Sequence, residues 1–146
     1  MINSKLQPVL RLLLATLLLC TMQGSFASDD IHKLVIQVSS ADVSVHKRAL
    51  NNAVNVQKEL GIDNVIIEIV AYGPGLSMLT PESPESIRVP SLAMQNMEFT
   101  ACGNTMETIE KSTGVPVTLV EGVNVVKAGV VRIMELQEQG YAYVKP

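Results

Sequence analysis

"KLVIQVSSADVSVHKRALNNAVNVQKELG" (residues 33–61) changes its hydrophobic period partway along. "KLVIQVSS" (33–40) is a short apolar run rich in Val and Ile, which is a strand signal. Beyond it, Val45, Ala49, Ala53, Val56 and Leu60 recur at the spacing of an amphipathic helix. Ser40 or Asp42 can cap the start of that helix. Gly61 ends it at the C′ position, with Ile62 ready to pack back. "NVIIEIVAYG" (64–73) then reads as a second strand. Glu68 interrupts its apolar run, and this predicts a strand at a sheet edge, where one face is less completely covered.

The same alternation continues. "GPGLSMLTPESPES" carries Pro74, Pro81 and Pro84, and Pro90 follows, so any helix here is short or broken. Pro90 can open a short helix, "PSLAMQN". "MEFTAC" (97–102) is the third strand. "GNTMETIEKSTG" is a short helix with Asn104 as N-cap and Glu107 in the capping-box position, stopped by Gly114. A fourth strand is expected near 117–120. "KAGVVRIMELQEQG" reads as another helix, with Val130, Ile133 and Met134 inward and Gly140 as terminator, and "YAYVKP" closes the chain as a strand. Strand and helix thus alternate throughout. Such alternation implies an α/β fold, a parallel sheet with right-handed crossovers and helices on both faces. Five strands in this length predict a flavodoxin-like three-layer sandwich with strand order 2-1-3-4-5.

The first 27 residues read differently. "MINSKLQPVLR" carries Lys5 and Arg11 and no acid, "LLLATLLLCTM" is an apolar stretch, and "QGSFA" offers Ser25 and Ala27 in a small-x-small pattern. That is the order of a secretory signal peptide, and the apolar stretch is too short to span a bilayer, which takes about 20 residues. Cleavage near Ala27–Ser28 would leave a single domain, 28–146, in the periplasm. A lipoprotein anchored through Cys20 is disfavoured by the bulky Leu19 before it. Losing Lys5 and Arg11 takes the formal charge from −3 to −5. An acidic domain is a poor partner for nucleic acid or an anionic membrane, so neither is expected after signal cleavage. With no tryptophan and Phe99 as the one phenylalanine beyond residue 27, the core must be aliphatic.

Cysteine usage gives the sharpest functional signal. Cys20 would leave with the signal, and Cys102 then has no partner in a compartment where cysteines usually pair. In the expected strand order, ligands bind at the switch point between strands one and three, outside their carboxyl ends. Ser39 and Ser40 end strand one, and Cys102 ends strand three. The helix after Cys102 presents free N–H groups and the positive end of its dipole, which favour a thiolate. Gly103 lets the backbone turn and leaves room for a substrate, and Asn104 follows it. An inert buried cysteine is the competing reading.

Other residues are more weakly marked. Tyr72 and Gly73 in "YGPG" read as a pocket wall or as a plain tight turn. His46 is a candidate proton donor or base for the thiol, but His46, Lys47 and Arg48 are consecutive polar residues and read better as a solvated face. No G-x-G-x-x-G or P-loop is present, "SSADVS" lacks the glycines of a flavin site, and two separated histidines with one cysteine make no zinc site. No cofactor and no metal are therefore expected.

"AYGPGLSMLT" (71–80), "TACGNTM" (100–106) and "AGVVRIMELQEQGYAYVKP" (128–146) resemble the DsrE/DsrF-like family of sulfur-relay proteins, and more narrowly its exported members. The resemblance runs over nearly all of Lys33 to Pro146. It implies a flavodoxin-like domain that assembles into homo-oligomers, commonly trimers or hexamers. It also implies a cysteine that accepts sulfur as a persulfide, a role that falls on Cys102, with donor and acceptor thiol proteins as partners. The expectation is a periplasmic sulfur-binding or sulfur-transfer protein. A non-catalytic oligomeric binding or assembly module, and a redox-sensing thiol protein, are its rivals.

Overall fold

The computed structural model describes residues 31–146. The expected signal peptide (1–27), its expected cleavage point and Cys20 lie outside the described residues. Among those described, no helix is long and apolar enough to cross a membrane.

The elements are β1 (His32–Val38), α1 (Val43–Leu60), β2 (Val65–Ala71), a 3-10 helix (Gly73–Leu79), α2 (Arg88–Ala93), β3 (Met97–Cys102), α3 (Gly103–Thr113), β4 (Val123–Val126), α4 (Gly129–Glu138) and β5 (Ala142–Val144). All strand pairs are parallel. The protein is a three-layer α/β sandwich of the flavodoxin-like class, as the alternation predicts.

The strand order corrects the expectation. It is β4-β3-β2-β1-β5 rather than 2-1-3-4-5. The edge placement of β2 rested on Glu68, yet β2 lies at the centre of the sheet and Glu68 is 1 % exposed. Its charge is matched by Arg132, a half-buried partner on α4, rather than by solvent. With β1 to β4 laid side by side in sequence, three successive right-handed crossovers put α1, the 3-10 helix with α2, and α3 on one face. The connection from β4 back to β5 runs the other way and puts α4 alone on the opposite face. Strands β1 and β3 are separated by β2, so the crevice expected between them does not form.

Alternation along the strands divides two cores. Ile36, Ile67, Ile69, Phe99 and Ala101 point to the three-helix face, where they pack with Leu50, Leu76, Met78 and Leu79. Val35 and Val70 point the other way, against Ile133 and Leu136 of α4, with Tyr72 and Tyr141 at the margin.

Local signals were read with mixed success. Asp42 is the N-cap of α1, accepting from the Ser44 N–H at 2.8 Å, while the Ser40 hydroxyl accepts from the Asp42 N–H at 3.1 Å. α2 begins two residues before Pro90. Residues 117–120 form no strand, and the fourth strand is 123–126 instead. The Val120 N–H is held by the Leu79 carbonyl at 2.9 Å, so this run straps the 3-10 helix rather than joining the sheet. In α4, Ile133 is inward, but Val130 and Met134 are 55 % and 56 % exposed. Gly129, Arg132, Ile133 and Leu136 face the sheet instead, an i, i+3, i+4, i+7 stripe that contains a glycine and an arginine and was therefore hard to see by hydrophobicity.

Candidate functional site

Cys102 is the last residue of β3 and the N-cap of α3. The expected cap, Asn104, lies inside the first turn, where its N–H donates to the Lys127 carbonyl at 3.0 Å. Glu107 serves no capping box; it pairs with Lys127 at 2.7 Å on the surface. The side chain of Cys102 shares the face of Thr100, towards α4, and is 6 % exposed.

A second helix start meets the same thiol. A Cβ built on Gly129 would lie 3.2 Å from Cys102 Cβ, 3.3 Å from Tyr72 Cβ and 3.3 Å from Val70 Cγ1. The first residue of α4 is thus glycine because its backbone rests directly on the thiol's strand. Burial pushes the Cys102 thiol up. The N–H of Gly129, the Thr105 hydroxyl and the N–H groups of Thr105 and Asn104 outweigh it, and the thiol sits below its ordinary value. Two helix N-termini, α3 and α4, therefore converge on one sulfur, and both favour its anion.

The register decides which expected residues join it. Ala71 is level with Val38 and with Ala101, so the next residues along, Ser39, Tyr72 and Cys102, form one row across the sheet. Tyr72 adjoins the thiol. Ser39 is one strand further away and accepts from Gln37 Nε2 at 3.1 Å. Gln37 in turn accepts a hydrogen bond from the Tyr143 hydroxyl. Gly73 donates its N–H to Thr105 Oγ1 at 2.9 Å, tying the end of β2 to the first turn of α3. Gly103 is pressed against the β4 end, where a Cβ would lie 3.1 Å from the Val126 carbonyl oxygen. Its role is close packing rather than an open space for substrate.

Two expected residues fall away. Ser40 is consumed at the start of α1. His46 is neither solvated nor near the thiol: it is 2 % exposed, on the three-helix face, with Nε2 2.7 Å from the Ser40 carbonyl. A carbonyl only accepts, so Nε2 carries a proton, and Nδ1 is buried with no hydrogen-bond partner among the described residues. The sheet separates it from Cys102, and it is not a base for that thiol. The polar residues around it in sequence hid the fact that position 46 lies one turn before Leu50, on the buried side of α1.

Five contributors were missed. Thr105 and Gly129 touch the thiol's chemistry, and nothing but a structure shows that the second comes from a distant helix. Glu68 and Arg132 form a bidentate pair on the same face, at 3.0 Å (Nε to Oε1) and 2.7 Å (Nη2 to Oε2). Thr100, two residues before Cys102, donates to Glu68 Oε1 at 2.6 Å. The hydrogen bonds that Arg132 donates to Glu68 chiefly account for a guanidinium held above its usual range, against a smaller opposing effect of burial.

Beside the thiol, a groove of about 460 Å³ runs past Gly73, Pro74, Asn104, Thr105, Thr108 and Ile109. A second cavity of about 420 Å³ shares Gly73, Pro74 and Ile109 and extends to Val117. Cys102 lines neither; Thr105 stands between it and the groove. Among the described residues, no three His, Cys, Asp or Glu side chains are grouped to hold a metal ion.

This chain is similar to MTH1491 of Methanobacterium thermoautotrophicum, a protein of unknown function, with 33 % identity and a TM-score of 0.71 over 79 % of this chain and 99 % of the other. The chain belongs to the MTH1491 family. The YchN protein of E. coli shares the fold at 15 % identity and a TM-score of 0.62, again over 79 % of this chain and 99 % of the other. Both have the DsrE/DsrF-like fold, and so does this member of the MTH1491 family. No family model matches the chain, and no curated protein does.

Proposed function

We propose that this protein is an exported sulfur carrier of the DsrE/DsrF-like kind, holding sulfane sulfur as a persulfide on Cys102. The single observation that carries the reading is the convergence of two helix N-termini on that sulfur. The thiolate attacks the outer sulfur of a polysulfide or thiosulfate. A Cys–S–S⁻ bond forms, the donor's S–S bond breaks, and the bond pair leaves with the donor as a shorter polysulfide or as sulfite. No external oxidant or reductant is needed. The same N–H groups that favour the thiolate favour the anionic persulfide. The small exposure of Cys102 favours a compact inorganic donor over a bulky one. Delivery to an acceptor thiol reverses the geometry of loading. The expected homo-oligomer is part of this proposal, and the exposed apolar side chains on α4 support it.

Intact mass of the purified mature protein after incubation with thiosulfate or polysulfide tests it, with Cys102→Ser as control. A gain of sulfur that the variant lacks is expected. An unmodified wild type with a thiol inert to alkylation would sink the proposal in favour of an assembly module. A dimer that reductant dissolves would favour a redox thiol instead.

A further inference from the structure

The one donor that acts on Cys102 from α4, the Gly129 N–H, is useful only if that helix is held in place. Its first residue must sit on β2 and β3 at contact distance for the Gly129 N–H to act on the sulfur. Apolar packing by Ile133 and Leu136 holds the middle and end of the helix. Near its start, the one strong directional link to the sheet is Arg132, three residues after Gly129. Its guanidinium forks onto Glu68 of β2, and Glu68 is fixed in turn by Thr100 of β3. The carboxylate is buried and central, which is an expensive place for a charge unless it has a geometric task.

We infer that the Glu68–Arg132 pair is a positioning device that locks the start of α4 against Cys102. The inference rests on the thiolate chemistry proposed above, and it concerns residues that do not touch the sulfur. The titratable and charged groups on the elements around the thiol are Glu68 on β2 and Tyr72 just after it, Glu98 on β3, Glu107, Glu110 and Lys111 on α3 with Lys127 before α4, and Arg132, Glu135 and Glu138 on α4. Those acting on the thiol itself are N–H groups and a hydroxyl rather than charges.

The sign of the effect separates positioning from simple electrostatics. Removing the Glu68 charge would by field alone favour a thiolate and lower the pH midpoint of alkylation. Loosening α4 withdraws the Gly129 N–H and raises it. The experiment is the rate of iodoacetamide alkylation against pH for the wild type, Glu68→Gln, Arg132→Lys and Glu135→Gln. Glu135 touches Arg132 from the solvent side at 3.8 Å and makes no link to the sheet. In the first two variants the midpoint should rise towards the ordinary thiol value of about 8.5. The rate at pH 7 should fall with that rise, by at most about tenfold for each unit. Glu135→Gln should match the wild type. Unchanged midpoints in Glu68→Gln and Arg132→Lys, or a lowered one in Glu68→Gln, would overturn the inference, whatever happens to the melting temperature. Should Glu68→Gln fail to fold, Arg132→Lys keeps the cation and reads the same shift. In the wild type, the Gly129 amide resonance should move with the thiol's midpoint, and an amide indifferent to it would also count against the inference. Loss of sulfur loading with these shifts intact would sink the carrier proposal alone.

Discussion

Cys102 owes its setting to small neighbours as much as to donors. Thr105 uses one hydroxyl twice, accepting from the Gly73 N–H and supporting the thiolate. Thr105→Val should therefore raise the thiol's pKa and slow alkylation at neutral pH, while Thr105→Ser should stay near the wild type; a pH–rate profile checks both. Leaving the Gly73 N–H without its partner should also cost about 1–3 kcal/mol in a urea melt. Gly75 is constrained more severely. A Cβ there would lie 2.3 Å from the Val38 carbonyl oxygen, which is backbone and cannot swing away. Gly75→Ala should destabilise by about 1–3 kcal/mol in the same measurement. Cys102 was singled out in the sequence because an unpaired cysteine followed by a helix start is a local pattern. Gly129 could not be, because its contact with Cys102 joins residues 27 positions apart through a crossover.

At the scale of elements, α1 and the first three strands were legible because their apolar periods are strong, even with Glu68 inside β2. β4 was misplaced because "VPVTLV" has more strand character than "VNVV", yet the former serves as a strap across Leu79. In α4, Ile133 is inward as expected, but Val130 and Met134 are not. Its buried stripe spends two of four positions on Gly129 and Arg132, so the hydrophobic residues Val130 and Met134 drew the eye to the solvent side. The observed face makes a direct claim. Leu136 is fully buried, and Leu136→Ala should cost about 2–5 kcal/mol in chemical denaturation. Because Leu136 anchors the far end of α4, the same variant should disturb the thiol's pKa less than Arg132→Lys does.

At the scale of the whole molecule, the fold class followed from alternation alone, but the strand order did not. A single acid within β2 reads as a mark of exposure, whereas a partner 64 residues away matches its charge inside the fold. With β2 central, three helices crowd one face and one helix covers the other, so much of the α4 side is thinly clothed. Val130, Val131 and Met134 all lie at least 47 % exposed there. An assembly that covers them should be visible in sedimentation, and Met134→Glu together with Val131→Glu should shift the protein to smaller species. An assembly unaffected by both charges would place the interface elsewhere.

The central claim is that Cys102 carries sulfur because two helix starts hold it as an anion. Intact-mass measurement of sulfur loading from polysulfide as a function of pH tests this most directly. The expected result is one loaded cysteine, absent in Cys102→Ser, with a loading rate that reaches half its maximum below the ordinary thiol value of about 8.5. A wild-type protein that takes up no sulfur across that range, or a Cys102→Ser variant that loads equally, would contradict it.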